Sequence, residues 1–295
     1  MPSLDLQWLL RSKSLAPSAT IAWTFNELFA TVNMEPVLLS ETRAGVARLV
    51  LNRTEKRNAL TRELIVQLKS ELDLIGNDPS VRVILLEANG PAFCAGMDLG
   101  EMQQRAADTD ATQQWMQDSI AYGRVLKTIF DAPLPTVAVV QGPALAGGLG
   151  LVLACDMVLA SENAFFALPE PTRGITAAMV TPLLVHRVGA GAATFLLLSG
   201  QRITAASAKS IGLCHEVVTE TLLTQRRDEW VSAILSGSPA ALKISKQHVQ
   251  HCSPLDVSKL IDDSIKASAR ARETPDAREG LAAFLEKRKP NWQPE

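Results

Sequence analysis

The 295-residue chain is 47% hydrophobic and 20% charged, the balance of a globular protein with a sizeable core, and its length suggests about two domains. A net charge of −2 and a pI near 6.1 give no electrostatic case for a nucleic-acid or membrane-surface partner. Cys94, Cys155, Cys214 and Cys252 lack CxxC or CxxxH spacing, so they read as buried or incidental thiols in a reducing, cytoplasmic setting. No apolar run approaches the roughly 18 residues of a membrane span.

In chain order, residues 1–33 are poor in acids and lack both a continuous apolar stretch and a small-residue cleavage site. They are expected to be a disordered leader or to precede the true start, although they faintly resemble a transit peptide. From Val37 the pattern becomes regular. Val37-Leu38-Leu39 and Val46 to Leu51 read as strands joined by Arg43-Ala44-Gly45. After a polar loop, Thr61 is placed to cap a helix whose apolar residues Leu64, Ile65, Leu68, Leu72 and Ile75 share one face. Val81 to Leu86 is a buried strand, followed by a small-residue turn from Gly90 to Leu99 and one long helical stretch to Phe130.

Thr136 to Val140 is the central strand. It feeds the glycine-dense turn Gln141 to Gly150, a helical segment Leu151 to Ala154, an apolar run to Ala160, and a turn carrying Pro169-Glu170. Helices are expected over Thr176–Val188, Ala192–Leu198, Ala205–Ile211 and Leu222–Leu235, with Leu213 to Val218 extended. Beyond Pro239 the pattern is helical to about Arg288. Strands alternating with helices imply parallel pairing and an α/β core. The division expected is a catalytic core over 34–235 and a helical covering and assembly region over 236–295.

Each of the two small-residue turns follows a buried strand. If they converge, each can offer a main-chain N–H to one oxygen, and losing one such donor typically costs about 10²–10³ in rate. Other anion sites fail on residues. A phosphate loop needs Gly-Lys-Ser/Thr, which Gly147-Gly148-Leu149 lacks, and a dinucleotide turn needs a third glycine where Leu153 stands. There is no G-x-S-x-G, and His186, His215, His248 and His251 read as surface or structural residues. Metal-ligand spacing is absent.

Ala92-Phe93-Cys94-Ala95-Gly96-Met97-Asp98-Leu99 together with Gly142-Pro143-Ala144-Leu145-Ala146-Gly147-Gly148 resembles the crotonase (enoyl-CoA hydratase/isomerase) superfamily. Matches at Glu55 to Leu60, Ala154-Cys155-Asp156, Leu168-Pro169-Glu170 and Glu279 to Arg288 extend the likeness from about Val37 to Trp292, with the look of bacterial methylglutaconyl-CoA hydratases. The resemblance implies a spiral of ββα units with a helical C-terminal layer that forms a homotrimer or a dimer of trimers. It implies an acyl-CoA thioester substrate, no separate cofactor, and oxyanion donors at the backbones of Met97 and Gly147. The Met97 side chain is free to line the pocket or to be plain core.

Glu170 falls at the position of the catalytic carboxylate. Its apolar flanks, Phe165, Phe166 and Leu168, should raise its pKa toward the range that suits general acid–base work; the plain alternative is an exposed loop glutamate. Gly150 departs from the pattern, since hydratases of this kind carry a second glutamate there. Either Glu170 alone, or with another acid, positions the water while Gly150 enlarges the pocket for a branched or carboxylated acyl group, or the enzyme is a Δ3,Δ2-enoyl-CoA isomerase that needs one carboxylate. The hydratase is the reading adopted. A non-catalytic CoA- or RNA-binding relative is the alternative of another kind, and the acidic pI argues against RNA. The resemblance also implies CoA contacts at Lys56, Arg57, Ala59, Ala95, Gly96, Asp98, Leu99, Gly148, Phe284 and Lys287. Met102, Trp115, Met116 and Tyr122 would lie over the acyl chain, where helical spacing suits core equally well.

Overall fold

A computed structural model describes residues 35–106 and 108–293, so the leader expected over 1–33 lies outside the described residues. The described chain opens on an antiparallel hairpin, β1 (Leu38–Arg43) and β2 (Val46–Leu51). Arg43, assigned to the turn by sequence, pairs with Val46 and ends the strand. Helix α1 (Arg62–Gly76) starts where Thr61 Oγ1 accepts the Leu64 N–H at 3.1 Å, a cap that contributes about 1 kcal/mol. Its buried residues are Leu64, Ile65, Leu68, Leu72 and Ile75, the face that the spacing predicts.

Strand β3 (Val83–Ala88) pairs parallel with β2 and leads through the first small-residue turn to α2 (Leu99–Ala106) and α3 (Ala111–Phe130). The single long helix expected here is two. Asp108, Thr109 and Asp110 lie between them, and their short polar side chains compete with helical backbone bonding.

The chain then alternates between two sheets. Strand β4 (Thr136–Val140) belongs to the large sheet and β5 (Ala144–Leu145) to the small one, with α4 (Gly147–Ala154) returning the chain. Strands β6 (Met157–Ser161) and β7 (Phe165–Ala167) repeat the step. After α5 (Thr181–Ser199), β8 (Ile203–Thr204) and α6 (Ala205–Ser210), β9 (Glu216–Val218) closes the large sheet, and α7 (Glu220–Ser236) follows. The large sheet runs β1-β2-β3-β4-β6-β9, parallel beyond the hairpin, and the small one β5-β7-β8. This is the spiral of ββα units expected.

Helix α5 departs from the expectation that no apolar run reaches membrane-span length. It is 19 residues long with a mean hydropathy of 1.3, long and apolar enough by composition to cross a membrane. Its backbone leaves the helical region at Gly189 (φ 75°, ψ 164°), and the Arg187 guanidinium donates to the carbonyls of Leu153, Cys155 and Asp156.

The last helices are α8 (Pro239–Cys252), α9 (Val257–Ala271) and α10 (Pro275–Leu285). Val257 and Ile261 of α9 are buried in the same apolar core as α1, α3 and α4. Helix α9 thus contributes side chains to the main core.

Candidate active site

Two loops are brought side by side by backbone pairing. Cys94 N–H donates to Pro143 O at 3.1 Å, and Leu145 N–H donates to Cys94 O at 2.9 Å. On the other side, Leu60 N–H donates to Gly96 O at 2.8 Å and Asp98 N–H to Leu60 O at 3.0 Å, which leaves the Met97 N–H between them facing elsewhere. Among the described residues, neither Met97 N–H nor Gly147 N–H donates a backbone hydrogen bond. Close approach demands glycine at 96, which sits at φ 90°; a Cβ there would stand 2.7 Å from Ala146 Cβ and 3.3 Å from Gly147 N. Ala146 itself is held at φ 51°, ψ −126°, a conformation that costs an alanine about 1–3 kcal/mol and that aims the following amide. Gly147 is the first residue of α4, so its N–H also carries the partial positive charge of a helix N-terminus.

Asn58 locks this arrangement. It is fully buried, its Nδ2 donates to Asn89 O and Ala92 O at 2.9 Å each, and its Oδ1 accepts from Arg53 N at 2.7 Å. One amide side chain thereby ties the loop before α1 to the turn after β3, a role that the sequence reading did not assign.

Met97, Gly147 and Glu170 line one cavity, with Leu99, Tyr122 and Arg272 also in its wall. Glu170 opens a short 3-10 turn after Pro169 and is 6% exposed, so the exposed-loop alternative does not hold. Among the described residues its Oε2 has no hydrogen-bond partner. Burial pushes its carboxyl from 4.5 up to about 7, the direction its apolar flanks predict, against a smaller opposing pull from Arg173. Among the described residues, Glu170 is the one acidic side chain in the wall of this cavity. A buried carboxyl of near-neutral pKa, set beside two main-chain N–H groups, can move a proton next to an atom that is becoming negative.

The Enoyl-CoA hydratase/isomerase family profile matches residues 41–295. The chain belongs to this family. It is an enzyme of the enoyl-CoA hydratase/isomerase type, and relatives span nearly its whole described length. It is 35% identical over 257 residues to the 2,3-dehydroadipyl-CoA hydratase of Escherichia coli K12, covering 87% of this chain and 98% of that one. It is 32% identical to an enoyl-CoA isomerase/hydratase of Mycosarcoma maydis, covering 88% and 97%. A crystal structure of an enoyl-CoA hydratase from Mycobacterium avium subsp. paratuberculosis superposes with a TM-score of 0.78 at 28% identity, covering 88% and 99%.

In this hydratase/isomerase the space above Gly150 is filled. A Cβ at residue 150 would stand 2.2 Å from the Tyr122 hydroxyl and 3.0 Å from Val180 Cγ2. The expectation that Gly150 enlarges the pocket is therefore corrected: Gly150 makes room for Tyr122. The Tyr122 hydroxyl donates to Gly147 O at 2.5 Å. Burial, then Cys94 and Glu170, holds its pKa well above 10, so it stays protonated. Ala at 150 is expected to lower the melting temperature of the wild-type protein, and adding Tyr122→Phe should recover part of that loss. Thermal unfolding of both single variants and the double variant measures the coupling; strictly additive losses would contradict the fit of hydroxyl over glycine.

The remaining expected site residues divide. Leu99 lines the cavity beside Met97. Gly148 is packed against Cys94 and holds the loops together. The Asp98 side chain does a structural job: its Oδ2 pairs with Arg53 at 2.7 Å, and its Oδ1 accepts from the N–H groups of Gly100 and Glu101 at the start of α2. Lys56 and Arg57 are exposed, Ala95 N–H donates to Arg57 O at 3.0 Å, and Ala59 O accepts from Arg53 at 3.3 Å. Phe284 is exposed beneath the Arg173 guanidinium, 4.3 Å from its carbon, and Lys287 is exposed after α10; neither lines the cavity. Met102 and Tyr122 line it, whereas Met116 does not. His215 Nδ1 accepts the Val158 N–H at 3.0 Å and His186 meets Ser253, both outside the cavity. Among the described residues no group of three His, Cys, Asp or Glu side chains could hold a metal.

Sequence reasoning missed Arg272 and Ser268, which α9 and the residue after it bring to the cavity wall. Nothing local to Ser268–Arg272 signals a site; it emerges only from the packing of α9 on α3.

Proposed function

We propose that this enzyme adds water across the C2=C3 bond of a 2-enoyl-CoA thioester, and forms that bond in reverse. The observation that carries the reading is Glu170, buried with an unpartnered carboxyl oxygen in the same cavity as Met97 and Gly147. The Met97 and Gly147 N–H groups would hold the thioester oxygen. Ionised Glu170 takes a proton from water as the water oxygen bonds to C3, and the π electrons pass to the thioester as an enolate. Glu170 then returns that proton to C2. The Tyr122 hydroxyl fills the space beside Gly150 that a glutamate side chain would need, and would support the water's orientation through its free lone pair. CoA is part of the substrate, and no other cofactor is invoked. A branched acyl group of the methylglutaconyl type belongs to this reading. So do CoA contacts at Lys56, Arg57, Phe284 and Lys287, and assembly as a trimer or dimer of trimers, which the exposed Phe195, Leu198, Ile244 and Val249 support.

That Glu170 is the single acidic side chain in the cavity among the described residues also favours a second reading, a Δ3,Δ2-enoyl-CoA isomerase in which Glu170 carries one proton between C2 and C4. A panel of acyl-CoA substrates followed at the enoyl-thioester absorbance decides between them. Hydration removes the signal of 2-enoyl substrates. Isomerisation creates it from 3-enoyl ones. Silence in both directions across chain lengths would refute the proposal.

A further inference from the structure

Adjoining the Glu170 cavity is a second, smaller one. Met102, Ile175 and Arg272 line both, so the two meet at these residues. The second cavity is also walled by Trp115, Arg173 and Arg278, and among the described residues no carboxylate lines it. Two of its donor atoms lack acceptors among the described residues. Trp115 Nε1 and Arg173 Nε are buried and, among the described residues, have no hydrogen-bond partner. Arg272 is 9% exposed, and its guanidinium makes one long contact, 3.4 Å to Trp115 O.

The carboxylate that acts on Arg272 is Asp118, which is already engaged. Its Oδ1 accepts from Arg62 at 2.9 and 2.7 Å, and its Oδ2 pairs with Arg105, which also meets Glu101. Arg62, Arg105 and Arg272 thus share Asp118 and Glu101, leaving one positive charge in excess. Arginine does not shed that charge, and a buried guanidinium without an anion is costly. Its planar fork matches a carboxylate bidentately.

We propose that this cavity receives the distal carboxylate of the acyl group, so that the preferred substrates are dicarboxylic enoyl-CoA thioesters. The inference rests on the acyl-CoA reading of the Glu170 cavity. An acyl chain that passes Met102 and Ile175 brings its far end to Arg272, Arg173 and Trp115. A neutral tail of equal length leaves those donors unmatched, and sites built to bond a polar group reject analogues that lack it by large factors.

Calorimetric titration of saturated, unreactive pairs matched in length (glutaryl- against pentanoyl-CoA, adipyl- against hexanoyl-CoA, suberyl- against octanoyl-CoA) tests this directly. At least one pair should favour the carboxylate by about 30-fold or more in the wild-type protein. Arg272→Gln should bring that ratio near one, and Trp115→Phe, which removes one donor and little volume, should lower it several-fold. Equal affinities in every pair overturn the inference, as does a preference that survives both substitutions. If a CoA phosphate were the anion held here, Arg272→Gln would weaken both members of each pair alike, which also overturns it. Should Arg272→Gln fail to fold, the wild-type ratio and Trp115→Phe decide. Turnover of neutral 2-enoyl-CoA without any carboxylate preference defeats this inference alone, whereas no binding of any acyl-CoA defeats the acyl-CoA reading with it.

Discussion

Glu170→Gln is expected to lower kcat/KM on every enoyl-CoA substrate by about 10²–10⁴-fold, while binding of saturated acyl-CoA survives. Glutamine keeps the shape and polarity of the side chain but cannot take a proton from water or return one to C2. The same substitution should raise stability in a pH-dependent way. The folded protein holds the Glu170 proton up to about pH 7, against 4.5 for the ordinary carboxyl. Glu170 therefore favours folding below about pH 4.5, and that contribution is lost as the pH rises through 7. Glutamine never ionises, so the variant's advantage should be absent near pH 4 and grow toward pH 8. Chemical denaturation at both pH values checks it. Wild-type kcat/KM should fall on the acid side with a midpoint near 7, because both directions of the reaction begin with the carboxylate ionised. An unchanged rate in Glu170→Gln, or a stability difference of the opposite sign, would remove Glu170 from the chemistry.

The second large effect is expected at Gly148. A Cβ there would lie 2.4 Å from Cys94 O, 2.6 Å from Cys94 Cβ and 2.8 Å from its sulfur. These atoms cannot give way cheaply, since Cys94 is paired by backbone to Pro143 and Leu145 and its sulfur meets Asn58 O at 3.0 Å. Gly148→Ala must push the two loops apart. Overpacking of this kind costs about 1–3 kcal/mol of stability. The kinetic loss should be larger in proportion, about 10²–10³ in kcat, because parting the loops separates the Met97 and Gly147 donors. Paired measurements of melting temperature and kcat check this. A variant with near-wild-type kcat would show that the spacing of the loops carries no rate.

Much of the fold was legible in the sequence because its long elements carry clear periods. The α1 face from Leu64 to Ile75 and the strand Thr136–Val140 are examples, and both turns were placed by their glycines. Strands β5, β7 and β8 have two or three residues each, too few for an alternating pattern to register. Glu170 could be singled out from its apolar neighbours and its family position. Tyr122 was legible as a residue near the acyl chain, but the fit of its hydroxyl over Gly150 exists only in three dimensions. Arg272 lies more than a hundred residues from the loops it joins, at the C-terminal end of α9, where no local pattern marks it. Asp98 fits the family pattern at the CoA site, yet its side chain caps a helix and pairs with Arg53, a division of labour that spacing alone cannot reveal.

The central claim is that two main-chain amides grip the thioester oxygen beside Glu170. Infrared difference spectroscopy of a ¹³C-carbonyl-labelled saturated acyl-CoA bound to the protein tests it most directly. The bound carbonyl stretch should lie at lower frequency than in water, and the shift should shrink in Gly148→Ala. A carbonyl band unmoved from its aqueous position in the bound wild-type complex would contradict it.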